Sequence, residues 1–266
     1  MNLNWYDDLC EYYKVTPEEA LELGTRSSGR MPRLPGSATT AAVSDMTYED
    51  IWELKSRKSQ EEIFSFYKDQ GAWSAFRQVV RHKDKIQFHK HILSVLRPHG
   101  SSICEYGCGI APYTHTLLSN IDKNEKFHIS ISDVDCEHFN FGQWRLQKLI
   151  EQRELRNITL ESRVINPNEL PKYSKNLDSV IIFEVLEHVP SPIKAIRNIQ
   201  SFMNPGALLC ENFVGHDEDD DDGPDLLSAR RQRGFYYELL EREFQLRAGP
   251  APENEPNATR IWQKAD

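Results

Sequence analysis

Apolar residues follow two different patterns along the chain. From Ser101 onwards, short apolar runs alternate with segments in which apolar residues recur every three or four positions. This alternation predicts strands separated by helices, and hence a mostly parallel sheet with helices on both faces. Residues 180–183 and 207–210 are continuously apolar, as expected for strands buried on both faces. Residues 158–164 alternate apolar with polar positions, which predicts an edge strand.

The first 80 residues lack this alternation. Thr16 precedes a proline and two acidic residues, which predicts a helix with Thr16 as its N-cap. Residues 24–44 are rich in Gly, Pro, Ser, Thr and Arg and predict an extended linker, and residues 47–50 predict another helix start. We therefore expect a helical and irregular cap with a linker in residues 1–80, followed by an α/β core in residues 81–266.

One stretch, residues 101–112, carries the strongest candidate chemistry. A short apolar strand runs into the acidic residue Glu105, and a tight turn with Gly107 and Gly109 follows before a helix begins near Pro112. Glycine lets the backbone turn sharply and approach a ligand, and the N-terminus of the next helix offers free N–H groups. Because two glycines after a strand are common in ordinary turns, this loop is a weak signal by itself.

Two later segments strengthen the interpretation of this loop. Asp133 ends the next predicted strand, at the position where α/β nucleotide-binding folds place a carboxylate on a ribose. Residues 177–189 then form a predicted buried strand that leaves into an acidic turn, Leu186-Glu187-His188.

These ordered motifs resemble the class I S-adenosylmethionine-dependent methyltransferases, and most closely their ubiquinone-biosynthesis-like subgroup with Leu-Glu-His after the fourth strand. The resemblance covers about residues 85–244. It rests on Glu105-Tyr-Gly-Cys-Gly109, Asp133, Asn166-Pro-Asn-Glu-Leu-Pro171, Leu186-Glu-His-Val189 and Met203-Asn-Pro-Gly206. One departure is clear, because Ala111 stands where the family has its third loop glycine.

The resemblance implies a Rossmann-like seven-stranded, mostly parallel sheet that ends in an antiparallel hairpin and carries a helical N-terminal cap. It implies S-adenosylmethionine as cofactor and the following binding residues: Glu105, Tyr106, Gly107, Gly109, Asp133, Asn166, Phe183 and Glu184. Asp135 is a rival to Asp133 for the ribose, and Asn166, expected against the adenine, can equally be a turn residue before a proline.

Three further residues have two interpretations each. His188 is a candidate general base for the acceptor, or it orders the Leu-Glu-His turn by hydrogen bonding. Trp73 and Phe76 lie on an apolar helical stripe that resembles the family's cap, so they either close over cofactor or substrate or are ordinary core.

Composition narrows the expected partners. The 266-residue chain has a net charge of −9, which disfavours bare nucleic acid and leaves a small-molecule or otherwise unidentified acceptor as the expectation. No apolar run is long enough to span a bilayer, and no secretory signal is visible. Five cysteines without Cys-x-x-Cys spacing suit a reducing cytoplasm. We expect no metal site, and interpret the acidic run at residues 217–222 as a solvated loop rather than a cation site.

Two alternative functions differ in class from a methyltransferase. A nicotinamide-dependent oxidoreductase requires Gly-x-Gly-x-x-Gly, whereas Gly107-Cys-Gly109 is followed here by Ile-Ala-Pro. A non-catalytic, methyltransferase-like binding domain is the other alternative.

Overall fold

The computed structural model describes residues 5–25, 59–215 and 225–265. The linker predicted at residues 24–44 lies almost wholly outside the described residues. The helix start predicted at residues 47–50 and the acidic run at residues 217–222 lie wholly outside them.

Seven strands form a single sheet in the order β3-β2-β1-β4-β5-β7-β6. They are β1 (Ser102–Tyr106), β2 (Phe127–Asp133), β3 (Ile158–Val164), β4 (Leu177–Phe183), β5 (Met203–Asn212), β6 (Phe244–Ala248) and β7 (Arg260–Lys264). The first five strands are parallel to one another, and β7 runs antiparallel to both β5 and β6. The predicted seven-stranded sheet with a C-terminal antiparallel hairpin is confirmed.

The described helices fall into an N-terminal group and a group that connects the strands. They are α1 (Trp5–Tyr13), α2 (Pro17–Thr25), α3 (Gln60–Asp69), α4 (Ala72–Lys83), α5 (Ile86–Leu96), α6 (Pro112–Asn120), α7 (Glu137–Gln152), α8 (Pro192–Phe202) and α9 (Leu227–Glu243). Short 3-10 turns occupy Arg97–His99 and Leu186–His188.

The strand order reverses direction next to β1, and this reversal positions the site. From β1 the chain proceeds outwards through β2 to β3, and then returns to place β4 on the other side of β1. Because parallel crossovers are right-handed, the helices on the two sides of this point lie on opposite faces of the sheet. Helix α6 packs between α5 and α7, whereas α8 packs against α9. The carboxyl ends of β1 and β4 therefore border a crevice, where such folds bind ligands.

Burial along the strands follows the sequence pattern. Every residue of β1 and β2 is buried, as expected for inner strands of a sheet covered on both faces. Strand β3 is at the edge of the sheet and has no fully buried residue, and its Val164 is 43% exposed. The prediction of an edge strand there is confirmed.

Helices α1 and α2 pack on α4 and α7 through a hydrophobic cluster that is separate from the one around the sheet. Thr16 caps α2 as predicted: its Oγ1 accepts the Glu19 N–H at 3.2 Å, and the Glu19 carboxylate accepts the Thr16 N–H at 2.7 Å. Phe76 of α4 lies in this cluster, with its ring centroid 5.0 Å from that of Tyr13. The division between residues 80 and 81 stays a prediction, and helix α4 runs across it.

No helix among residues 5–25, 59–215 and 225–265 is both long enough and apolar enough to cross a lipid bilayer.

Candidate functional site

The turn after β1 has a backbone conformation that depends on glycine. Gly107 and Gly109 have φ angles of 63° and 54°, in the left-handed region that strains other residues. A Cβ atom on Gly107 would lie 2.3 Å from a methyl carbon of Val185, and one on Gly109 would lie 2.2 Å from Gln78 Oε1. Both glycines line the large cavity described below, so the turn presents bare backbone to it.

Glu105 connects β1 to the start of helix α6. Its carboxylate accepts the backbone N–H groups of Tyr113 at 3.3 Å and Thr114 at 2.8 Å, which lie in the first turn of that helix. The side chain is 3% exposed, and burial raises the pKa of Glu105 to about 7 despite these hydrogen bonds. Because helix N-termini stabilise negative charge, this contact fixes the turn against α6.

Asp133 ends β2 beside the glycine turn. Its carboxylate accepts the N–H of Gly109 at 2.6 Å and of Val134 at 2.7 Å, and each oxygen keeps a second acceptor site. Burial raises the pKa of Asp133, while the nearby His138 opposes the shift. Its rival Asp135 is exposed, forms an ion pair with Lys68 at 3.2 Å and does not line the cavity.

The end of β4 forms the opposite side of the crevice. Phe183 packs against Tyr113 and Phe88, with ring centroids 5.1 and 6.1 Å apart. Glu184 has a positive φ of 54°, donates its N–H to Asn212 Oδ1 at 2.7 Å and forms an ion pair with Arg81 of α4. The ion pair joins α4 to the carboxyl end of β4.

The Leu-Glu-His turn follows as the second 3-10 turn. Glu187 is 3% exposed, and its carbonyl accepts the Leu226 N–H at 2.9 Å. His188 Nε2 lies 3.9 Å from Glu187 Oε1, and the His188 ring centroid lies 6.5 Å from that of Tyr67. Both Glu187 and His188 line the cavity.

A cavity of about 990 Å³ lies over the carboxyl ends of β1, β2 and β4, and helices α3, α4 and α5 contribute its other wall. It brings together most of the residues predicted from sequence: Glu105, Tyr106, Gly107, Gly109, Asp133, Phe183, Glu184, His188 and Trp73.

Two of the predicted residues do not line this cavity. Asn166 is exposed, and its neighbour Ile165 is buried on the cavity wall instead, with the Ile165 N–H donated to the Asp133 carbonyl at 2.8 Å. Phe76 is fully buried in the cluster between α1 and α4. Phe76 is therefore ordinary core, the second of its two interpretations, and Asn166 lies outside the cavity where its contact with adenine was expected.

The sequence interpretation missed the polar side of α4 and the start of α5. Gln78, Arg81, Lys85 and Phe88 line the cavity, and Gln78 Oε1 accepts the Ile110 N–H at 3.0 Å. Gln78 and Arg81 are three positions apart on one face of α4, and this spacing was the available signal, whereas Lys85 precedes α5 and Phe88 lies in its first turn.

One group of three possible metal ligands occurs among the described residues, namely Asp133, Cys136 and His138. Hydrogen bonds within the protein account for it. His138 Nε2 lies 3.0 Å from Cys136 Sγ, and its Nδ1 lies 2.9 Å from Ser74 Oγ, which donates to the Gly71 carbonyl at 2.8 Å. Since Ser74 uses its proton on that carbonyl, His138 Nδ1 is the donor to Ser74. We assign no metal to this group.

A family model described as a methyltransferase domain matches residues 79–247. The chain belongs to this methyltransferase family. The enzyme is thus a class I methyltransferase with S-adenosylmethionine as its cofactor, which argues against the nicotinamide-dependent oxidoreductase.

The methyltransferase has no match among curated protein sequences. Among solved structures, it is similar to the small RNA methyltransferase HEN1, with 17% identity, a TM-score of 0.50 and coverage of 68% of this chain and 25% of HEN1. The N-methyltransferase NodS from Bradyrhizobium japonicum WM9, in complex with S-adenosylhomocysteine, has 15% identity, a TM-score of 0.45 and coverage of 68% and 87%. At such identities the likeness to HEN1 concerns the fold alone.

Proposed function

We propose that this methyltransferase moves the methyl group of S-adenosylmethionine to a small-molecule acceptor by in-line displacement, as an enzyme of the Leu-Glu-His type. The observation that carries the proposal is the cavity at the reversal of strand order, where the glycine turn, Asp133 and the end of β4 meet. Ligands of open α/β sheets bind at this point.

The residues present fit such a cofactor. Gly107 and Gly109 line the cavity and carry no side chain, so the methionine end can approach the backbone there. The Asp133 carboxylate keeps acceptor capacity for both ribose hydroxyls beside its two N–H bonds. Ile165 and Val134 offer an apolar surface for the adenine in place of the contact expected from Asn166.

The chemistry requires alignment more than activation of the methyl donor. The sulfonium of S-adenosylmethionine supplies a methyl group with an excellent leaving group. Phe183 and Glu184, at the end of β4, would position the reacting end, and orientation of this kind contributes up to roughly 7–11 kcal/mol in ideal cases. His188 lies on the cavity wall and stays a candidate for accepting a proton from the acceptor.

The cavity and the charge of the chain support a small-molecule acceptor. A volume of about 990 Å³ is sufficient for the cofactor and a small acceptor together. The net charge of −9 disfavours a nucleic-acid acceptor. The structural neighbours do not decide this, because NodS is named an N-methyltransferase and HEN1 a small RNA methyltransferase.

The cap would complete this site. Trp73 lines the cavity and is 8% exposed, so we propose that it covers the bound ligands. A cytoplasmic location is part of the proposal, and the five free cysteines, four of them buried, support it.

Isothermal titration with S-adenosylmethionine and S-adenosylhomocysteine tests the proposal, with Asp133→Asn and Asp135→Asn as a matched pair. We expect micromolar binding that Asp133→Asn weakens by about 1–3 kcal/mol, because the ribose loses a charged acceptor. Asp135→Asn should bind as the wild type does. If neither ligand binds to the folded protein, the proposal is wrong, and the non-catalytic binding domain becomes the leading function.

A further inference from the structure

Several acidic side chains of the described residues line the cavity. The carboxyl group of Glu187 differs from the others in its contacts. The carboxylates of Glu105 and Asp133 accept backbone N–H groups. Those of Glu184 and Asp225 lie beside arginine side chains, and that of Glu169 lies beside Lys172. Each of these five groups therefore has an internal donor or a counter-charge nearby.

Glu187 is less fully compensated, since its own backbone N–H and the distant Arg233 are the groups that favour its charged form. Its side chain is buried, the residue being 3% exposed, and its Oε2 has no hydrogen-bond partner among the described residues. Its other oxygen, Oε1, lies 3.9 Å from His188 Nε2, beyond hydrogen-bond distance. Since a buried carboxyl oxygen without a donor is unfavourable for folding, the unpartnered Oε2 of a residue on the cavity wall points to a ligand that supplies the donor.

The charges around Glu187 favour a proton on this carboxyl. Glu184 at the end of β4, Asp225 before α9 and Arg233 of α9 act on it, and His188 is its neighbour in the turn. Burial holds the pKa of Glu187 well above its usual range, and Asp225 and Glu184 add to this shift, while a hydrogen bond from its own backbone N–H and the charge of Arg233 oppose it. A carboxylate with raised proton affinity is suited to general-base catalysis near neutral pH.

We propose that Glu187 is a catalytic residue whose Oε2 binds the proton-bearing heteroatom of the acceptor, a hydroxyl or an amine, and accepts its proton. This inference rests on the proposed function. The acceptor heteroatom forms a bond to the methyl carbon while the carbon–sulfur bond breaks and its electron pair stays on sulfur. The proton of the heteroatom moves to Glu187, and from there to solvent.

The first test needs no acceptor and compares the thermal unfolding of the wild type and Glu187→Gln between pH 5 and pH 8.5. Unfolding lets Glu187 ionise at its ordinary pKa, so the wild type loses stability as the pH rises above that value. The variant lacks this loss, and we expect its Tm to exceed that of the wild type at pH 8.5 by about 2 °C or more. At pH 5 the two should converge. A variant that is less stable at every pH would show that Glu187 has a structural role and would overturn the proposal.

The second test measures S-adenosylhomocysteine formation with a panel of small phenols, catechols and amines. Glu187→Gln should lower kcat by roughly 10²–10⁴-fold and remove the rise of activity with pH, because the proton acceptor is lost. The product identifies whether the acceptor is a hydroxyl or an amine. The matched control is Glu211→Gln. Glu211 is also fully buried with one unpartnered oxygen, but it does not line the cavity.

Glu187→Gln and Glu211→Gln should differ in activity, whereas both should gain stability at high pH. Burial raises the pKa of Glu211 to about 7, so Glu211→Gln should also show a higher Tm at high pH while retaining full activity. If Glu187→Gln keeps wild-type turnover, or if His188→Gln rather than Glu187→Gln removes the pH dependence, the proposal is wrong.

Binding of S-adenosylmethionine distinguishes the proposed function from the inference about Glu187. Absence of binding in the wild type refutes the proposed function, whereas unaltered binding with unaltered catalysis in Glu187→Gln refutes only this inference. If the wild type binds S-adenosylmethionine but no panel member reacts, a hydroxyl or amine acceptor is not supported and this inference is wrong.

Discussion

Replacement of Gly109 by alanine tests whether the turn after β1 has the backbone described here. Gly109 has a φ of 54°, which adds about 1–2 kcal/mol of strain for a residue with a Cβ atom. The new Cβ would also lie 2.2 Å from Gln78 Oε1. Moving that flexible side chain breaks its hydrogen bond to the Ile110 N–H, and a buried donor left unpaired costs about 1–3 kcal/mol.

These contributions sum to roughly 2–5 kcal/mol, and the smaller conformational freedom of the unfolded alanine variant offsets about 0.4–1 kcal/mol of this. The expected loss is a large part of the 5–15 kcal/mol by which proteins of this kind are typically stable. Urea unfolding at pH 7 measures it, and titration with S-adenosylmethionine should show weaker binding in the same variant.

Gly234→Ala is the matched control, since Gly234 lies within α9 and an added Cβ would meet no atom within 4 Å. This substitution should stabilise the protein by about 0.5–1 kcal/mol, because alanine favours a helix interior over glycine. If Gly109→Ala unfolds and binds as the wild type does, the turn does not have this conformation and the reasoning fails.

Three further predictions concern charges around the site and at the far end of the sheet. Arg81→Met removes the ion pair with Glu184, and because both side chains are partly exposed, urea unfolding should show a loss below about 1 kcal/mol. Burial opposes ionisation of Glu243, but hydrogen bonds from Gln200 and two arginines lower its pKa to about 2. The stability this gives is present above the ordinary glutamate pKa and is lost as the pH falls towards 2. Glu243→Gln should therefore have a lower free energy of unfolding than the wild type at pH 7, and the two should converge near pH 2. The opposite sign holds for Glu105, whose pKa burial raises to about 7: wild-type stability should decline between pH 4.5 and 7 through this group, and Glu105→Gln should remove that part of the decline.

Local sequence patterns predicted the parallel strands and the turn, whereas the family resemblance supplied the number of strands and the C-terminal hairpin. Continuous apolar runs marked the buried strands, and the alternating run marked the edge strand β3. Glycines after a strand marked the tight turn. At the third glycine position Ala111 has a φ of 52°, so the chain keeps the left-handed backbone there without glycine, at a strain of about 1–2 kcal/mol.

The sequence left two interpretations open where side-chain direction depends on neighbouring elements. Past the end of β3 successive residues point to opposite sides, so Ile165 faces inwards and Asn166 faces solvent. Phe76 is three residues from Trp73 on α4, but α1 covers its side of the helix. The sequence does not indicate that α1 packs there, because that contact joins segments distant along the chain.

Burial of polar residues was equally unpredictable from sequence. Glu187 belongs to a motif that was recognised, yet a glutamate is ordinarily expected at the surface. Glu187 is buried where the Leu-Glu-His turn packs against the chain before α9, as the hydrogen bond from Leu226 shows. Arg81 was missed for a similar reason, since its partner Glu184 is distant in sequence.

Hydrogen exchange with and without S-adenosylhomocysteine tests the central claim most directly, namely that the cofactor binds over the carboxyl ends of β1 and β2. We predict slower exchange in the turn between Tyr106 and Pro112 and at Asp133 and the residues that follow it. The β6–β7 hairpin should be unchanged, because it lies at the far edge of the sheet. Protection confined to the hairpin, or no protection at saturating ligand, would contradict the account.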